Sequence, residues 1–419
     1  MAGVRRHSGG AGDGEPLLTT QQAAVRLGVK PETLYAYVSR GLLERVRAPD
    51  GKGSLYPAAA VEALAVRGGR GAAGRTAVAA EPIRTGLTLI EADRLSYRGR
   101  DVTEFLAGGC SFETVAQWLW SGEVSGRRFT ASATALAAAR AAAEVLPDRA
   151  RVVDRLQAAV IAAAVTDPLR FDIQPVGVIA TARSLIATMV AALPAEGEDR
   201  PDAPIAELLW PRLTRRPMDP VGLRALDGAL ILLADHDIAA STYAARIAAS
   251  TRAHPYAVIT AGLAVLDGPQ HGGAGALAHR MIADAVASGD SLGVLAERLR
   301  GEGGVPGLGH SLYRAADPRA EALLRLIEPL PDPGGVRPVV QALVEAARDR
   351  LGTFPNSDFA LAALAHLGGM SADSTEAVVA VARSAGWIAH ALEEYQAPAG
   401  RHRPRGLYVG AWPETEESG

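Results

Sequence analysis

Residues 301–320, GEGGVPGLGHSLYRAADPRA, decide how the chain is built. Five glycines precede His310, and Arg314, Asp317 and Arg319 follow it. Such a run cradles a dinucleotide when a strand leads into it and an acidic residue follows within a βαβ unit. Neither condition is met here, so the run reads as a break between helices. Around it the pattern is helical. FTASATALAAARAAAEVL (129–146) and RVVDRLQAAVIAAAV (151–165) place Ala, Leu and Val at helical spacing, with Arg between. Alternating strands are nearly absent; LTLIEADRLSYRG (87–99) reads as a short hairpin feeding a helix at Asp101. The expected fold class is mainly α.

Composition narrows the chemistry. The 419 residues are 48% hydrophobic and 21% charged, with a formal net charge of −3. That excludes a disordered tail and a polybasic coat. Cys110 is the sole cysteine, so no internal disulfide or multi-cysteine metal cage is available, and a small buried residue is its simplest reading. No apolar run reaches the length of a membrane span, and residues 1–16 lack the apolar core of a signal peptide. A cytoplasmic protein is expected. Of 43 basic residues only Lys30 and Lys52 are lysine, so the rest of the chain cannot host a Schiff-base or Walker lysine. Its fixed cations are guanidinium groups suited to carboxylates and phosphates.

Charge also divides the chain: residues 1–82 carry +4 and the remainder −7. Residues 1–16 are read as a disordered N-terminus. Within 17–66, Thr19 or Thr20 caps a helix QQAAVRLG (21–28) that Gly28 stops, and Pro31 opens a second, PETLYAYVSRG (31–41), ended by Gly41. Leu43 to Tyr56 then alternates around Asp50-Gly51 as a hairpin wing would, and PAAAVEALAV (57–66) closes the unit. The run LGVKPETLYAYVSRGLL (27–43) resembles MerR-like and excisionase-like winged helix-turn-helix domains. That resemblance implies Thr33, Tyr35, Ala36 and Arg40 facing a major groove, with Arg45, Arg47 and Lys52 touching phosphates. DNA binding and a docking role both stay open. Residues 67–82, rich in Gly, Ala and Arg, read as a linker.

The histidines gather where glycine and proline break the helices. His236 lies in ADHDIAASTYAAR (234–246), His271 in LDGPQHGGAGA (266–276), and Asp358 in FPNSDFALA (354–362). There is no HExxH or other metal spacing, and no G-x-S-x-G elbow. General acid–base work by neutral imidazoles and a carboxylate remains, beside arginines able to hold a polyanion. No metal and no resident cofactor are expected.

These runs, with LTLIEADRLSYRGRDV (87–102), FETVAQWLWSGE (112–123), VARSAGWIAHALE (381–393) and RPRGLYVG (403–410), closely resemble the citrate synthase family across residues 83–419. The resemblance implies a large helical domain, 83–271 with 369–419, and a small one, 272–368, that rotates to close the site. It implies condensation of acetyl-CoA with oxaloacetate and thioester hydrolysis to citrate and CoA. Asp358 would be the base at the thioester methyl, His271 the donor to the enolate, and His310 the donor to the ketone. His236, Arg319, Arg383 and Arg403 would hold oxaloacetate, Arg403 reaching in from the other subunit of a homodimer, alone or within a hexamer. Val305, Gly307 and Gly309 would cradle the adenine of CoA, the small residues leaving it room, and Arg314 would meet its phosphates. Ser241 would orient His271 through water, whereas Arg325, Arg348 and Arg401 match no motif position and read as solvated or in surface ion pairs.

Three departures from the family pattern stand out: Asp237 where Glu is common, Ala239 and Gly275 where Asn is usual, and a short stretch between Arg170 and Arg224. They bear on rate and acyl specificity, leaving 2-methylcitrate synthesis from propionyl-CoA open. Citryl-CoA cleavage shares the fold. A DNA-binding regulator whose body senses metabolites is the alternative from another class.

Overall fold

The structure is a computed structural model that describes residues 17–27, 29–48, 53–58, 60–61, 64, 83–195, 200–269, 271–300 and 304–403. Expectations placed on residues 1–16, on Gly28, Asp50, Gly51 and Lys52, on the linker 67–82 and on RPRGLYVG beyond Arg403 lie outside the described residues. The chain forms two compact units, one within residues 1–84 and one spanning Thr85–Arg403.

In the first unit, Thr19 and Gln22 close a capping box ahead of the helix Thr20–Leu27. The Thr19 hydroxyl accepts the Gln22 N–H at 3.3 Å, and the Gln22 amide oxygen accepts the Thr19 N–H at 2.8 Å. The helix Pro31–Ser39 starts on its proline, and Gly41 follows its end at φ +69°. The wing is present: Val46–Arg47 pairs antiparallel with Ser54–Pro57. A third strand, Leu17–Thr19, pairs on the other edge of Ser54–Pro57; at three residues it was too short to show alternation in the sequence. Leu18, Ala23, Ala24, Leu34, Leu43, Tyr56 and Val61 form the small core.

The second unit is helical apart from one three-stranded sheet. Thr88–Glu91 pairs with Arg94–Tyr97, which pairs with Arg100–Asp101. Asp101 caps the helix Val102–Ala107 through the Thr103 N–H, as the sequence suggested. The buried Tyr97 hydroxyl faces the carbonyls of Ile231, Leu232 and Asp235 at 3.2, 3.1 and 3.0 Å, with one proton to share among them, at the end of the helix Pro220–Leu232 and just before His236.

At the centre runs the helix Asp373–Gln396, buried on nearly every side and packed against Phe112–Ser121, Pro175–Ala191, Ala240–Ser250 and Pro255–Leu266. A helix apolar all round belongs in a core, so a cation on it is conspicuous. Gly386 lets this helix touch the His236 segment. Its N–H donates to the Ala234 carbonyl at 3.0 Å, and a Cβ there would sit 2.5 Å from that oxygen. Arg383, one turn earlier, is thereby brought beside Asp235. The stretch 272–368 holds the helices Ala274–Ser288, Ser291–Arg300, Pro318–Ile327, Val336–Leu351 and Ser357–Gly368.

Candidate active site

Each sequence break becomes a helix start or a bracing loop. Asn356 caps the helix Ser357–Gly368, its Oδ1 accepting the N–H of Asp358 at 3.0 Å. Its Nδ2 donates to the Gly309 carbonyl at 2.9 Å, its own N–H reaches the Gly307 carbonyl at 2.9 Å, and Gly309 N–H meets the Phe354 carbonyl at 2.7 Å. The loop before His310 is thus stitched to the turn before Asp358. Gly307 sits at φ +79°, and a Cβ there would lie 2.9 Å from Phe359 Cβ. Its smallness serves the backbone conformation and this close packing.

Asp317 organises the second pair of elements. It caps the helix Pro318–Ile327 and grips Arg319 in a fork, Oδ1 to Nε at 3.0 Å and Oδ2 to Nη2 at 2.7 Å. Oδ2 also accepts the Ser357 N–H at 3.1 Å, joining this helix to the one that carries Asp358. Arg319 is therefore buried, pre-oriented and paired along one edge.

The histidines converge. The rings of His236 and His310 lie 5.0 Å apart, edge to face. His236 Nε2 meets the Tyr313 hydroxyl at 2.9 Å, and the Tyr313 ring lies 5.1 Å from that of His310. His310 Nδ1 accepts the Leu312 N–H at 3.1 Å, so in the neutral ring the proton sits on Nε2. His271 Nε2 meets the Ser241 hydroxyl directly at 2.8 Å, where the sequence reading had placed a water. The contact is direct because Ser241 lies in the first turn of the helix Ala240–Ser250. When that hydroxyl donates, the His271 proton resides on Nδ1.

Electrostatics ties the set together. Burial, then Arg319 and Arg383, hold His236 well below the usual histidine range. Burial and Arg319 lower His310, and burial and Arg383 lower His271. All three are neutral donors near pH 7. Asp358 moves the other way, pushed up to about 6 by burial and Asp317 against the pull of Arg319 and Arg383.

Arg383 is 6% exposed, and its Nε and Nη1 have no hydrogen-bond partner. A buried guanidinium is costly unless paired. Its charged neighbours are the carboxylates of Asp235 and Asp358 and a second cation, Arg319. Two buried guanidiniums beside three neutral imidazoles describe a receptacle for an anion with oxygen acceptors.

Two sequence-predicted residues stand apart. Arg403 is exposed and contacts none of the cluster, and Arg314 is exposed, with its backbone N–H and that of Ala315 held by the Asp93 carboxylate at 2.6 and 3.0 Å. Val305 packs partly buried against the core. Tyr313 and Asp317 were missed as site residues, although both stand in the decisive run; only the fold shows what they touch. Arg401 is not merely solvated, since it pairs with the buried Glu394. Gly275 fits its place for a packing reason: a Cβ would approach Thr375 Oγ1 to 2.7 Å, so no larger side chain enters without a shift.

The family model for the citrate synthase C-terminal domain matches residues 78–405, and a helix-turn-helix domain model matches residues 17–67. The chain belongs to the citrate synthase family. The citrate synthase of Haloferax volcanii is 32% identical over 347 residues, covering 76% of this chain and 90% of that protein. The citrate synthase of Acidithiobacillus ferridurans is 34% identical over 50% of this chain and 56% of its own length. Citrate synthase 2 of Bacillus subtilis is 32% identical over 51% and 58%. With these last two relatives the chain thus aligns over little more than half of their length. Among solved structures, citrate synthase from Thermotoga maritima superposes with a TM-score of 0.65 at 25% identity, over 80% of this chain and 95% of that one. The Thermoplasma acidophilum enzyme, solved as a ternary complex with carboxymethyl coenzyme A and oxaloacetate, shares the fold at a TM-score of 0.65 and 24% identity, over 80% and 96%. The citrate synthase fold is therefore established, preceded by a helix-turn-helix domain. Among the described residues no helix is long and apolar enough to cross a membrane.

Proposed function

We propose that the body condenses acetyl-CoA with oxaloacetate and hydrolyses the resulting thioester to citrate and CoA. The observation that carries this reading is Arg383, buried with Nε and Nη1 unpartnered beside Arg319. A dicarboxylate would supply the missing acceptors. Asp358, raised to about 6, is ionised at neutral pH yet basic enough to take a proton from the thioester methyl. His271 Nδ1 donates to the forming enolate oxygen, with Nε2 fixed by Ser241. His310 Nε2 donates to the ketone, with Nδ1 fixed by the Leu312 N–H. Neutral imidazoles stabilise oxyanions without readily protonating carbon. His236 holds oxaloacetate, and CoA lies along Val305, Gly307 and Gly309 with its phosphates toward Arg314.

The body is proposed to act as a homodimer, each protomer's Arg403 completing the other's site. Ile161 and Val165 on the helix Val152–Thr166, Leu169 and Phe171 after it and Val176 at the start of the helix Pro175–Ala191 are all more than half exposed, a concentration of apolar side chains in water that supports an interface. Sedimentation as a monomer would remove this part.

Thiol release from acetyl-CoA with oxaloacetate, measured on wild type and Asp358→Ala, tests the reaction. The variant should lose about 10²–10⁴ in kcat. A wild type that releases no CoA overturns the proposal. Propionyl-CoA in parallel decides acyl preference, since one methylene in a pocket is worth only about 1–3 kcal/mol. For the N-terminal module, Tyr35, Arg40, Arg45 and Arg47 are exposed and Thr33 and Ala36 half-buried, an arrangement that supports duplex binding. Salt-sensitive binding to a defined duplex is its test.

A further inference from the structure

The body buries a second chain of charges that reaches the site from behind. Asp235, next to His236, is fully buried, and its Oδ2 accepts from Thr88 Oγ1 and from His390 Nε2 at 3.2 Å. His390 Nδ1 meets Arg246 Nη1 at 2.5 Å, and that nitrogen also donates to Glu393 Oε2 at 2.8 Å. Arg246 Nε lies 2.6 Å from Glu394 Oε1. The same Oε1 meets His402 Nε2 at 3.0 Å, and Glu394 Oε2 accepts from Arg401 Nε at 2.7 Å.

Glu394 is oddly placed for a merely stabilising residue. It is fully buried, and it lies in the last turn of the helix Asp373–Gln396, where the helix dipole disfavours an anion. Arg246 does not need it, because Glu393 and His390 remain as partners. What the Glu394 carboxylate adds is a grip on the side chains of the segment after the helix, whose backbone Arg252 also meets at the Ala397 carbonyl, at 2.5 Å, and whose His402 ring packs edge-on against Tyr243. There Gly400 N–H is pinned to the Ser250 carbonyl at 2.8 Å, Arg401 and His402 turn inward, and Arg403 follows at once.

We propose that Glu394 is a positioning residue: by gripping Arg401 and His402 it fixes the segment 400–403 and sets where Arg403 is presented to substrate. This rests on the reading that Arg403 completes an oxaloacetate site. It adds that the presentation is governed by a buried anion, and that through Arg246 and His390 the same anion is linked to Asp235 beneath the protomer's own His236.

The test is calorimetric oxaloacetate affinity of the full-length protein, which needs no turnover, with KM values from thiol release alongside. Glu394→Gln and Arg401→Ala should each weaken oxaloacetate binding about tenfold, with the KM for acetyl-CoA changed less than about twofold. In an Arg403→Ala background the same substitutions should add nothing, because the group they position is gone. Should Glu394→Gln fail to fold, Arg401→Ala, at the surface end of the network, carries the test alone. Unchanged affinity in both variants, or losses that add to that of Arg403→Ala, overturns the proposal. Unchanged affinity in Arg403→Ala by itself overturns it too, and locates the failure in the reading of Arg403.

Discussion

The Asn356 amide donates to the Gly309 carbonyl at 2.9 Å, so the loop that delivers His310 and the helix that begins beside Asp358 are one mechanical piece. His310 and Asp358, proposed above as donor and base, are held in register by this one side chain. Asn356→Ala removes this bond and the helix cap together. It should cost about 1–2 kcal/mol of stability, and kcat should fall more than either KM rises. Steady-state kinetics beside a thermal melt checks both.

The pH profile should be set by the carboxylate. Asp358 must be ionised to act, so kcat/KM should climb as pH passes about 6 and then level off. The three imidazoles are shifted downward, so they are already neutral on that plateau and impose no second limb near 7. A profile falling between pH 6 and 8 would contradict this assignment.

Asp358 also carries a stability signature. Its native pKa, about 6 against an ordinary 3.8, means the folded chain holds the proton more tightly than the unfolded one. Its contribution is favourable at low pH and is lost as pH rises through 6. Asp358→Asn should therefore lose turnover as Asp358→Ala does yet raise the unfolding free energy, and with it Tm, at pH 7.5, the gain being bounded at about 3 kcal/mol. A melt at pH 5 should show about half of that gain, and one below pH 4 very little of it.

Tyr313→Phe deletes the hydroxyl on His236 Nε2 and keeps the ring against His310. The expected result is a loss of up to about tenfold in kcat/KM for oxaloacetate, the worth of one such hydrogen bond, with Tm nearly unchanged. An equal effect on the acetyl-CoA KM would point instead to a disturbed loop.

Asp317→Asn should be the most damaging of these substitutions. It leaves the buried Arg319 guanidinium without its forked partner, a change of about 3–5 kcal/mol, and weakens the contact to Ser357. Denaturant melts would register the loss before any assay did.

Much of this was legible in the chain itself. The hairpin at 88–97 and its hand-over at Asp101 follow from alternation and a capping residue, both local signals. So do the helix starts at Thr20, Pro31 and Ser357, the first and last capped by a side chain and the second set by its proline. The histidines drew attention because they sat in glycine-rich breaks. The partners were not legible: Asp317 with Ser357, Tyr313 with His236 and Asp235 with His390 are 40, 77 and 155 positions apart. No periodicity encodes a contact at such range. Arg401 differs: its partner Glu394 is only seven positions away, and what the sequence did not show is that this carboxylate is buried.

The division of the reacting groups along the chain has a consequence of its own. His310, Tyr313, Arg319 and Asp358 come from one stretch, while His236, His271 and Arg383 come from the segments flanking it, and Tyr313 bridges the two across a single hydroxyl. On the roles proposed above, the base Asp358 and the enolate donor His271 lie in different parts of the chain, so an activated acyl group that met the Asp358 stretch alone would lack the oxyanion support its ionisation needs. On that reading a high-energy ester is spared idle loss because its tools are stored in two places.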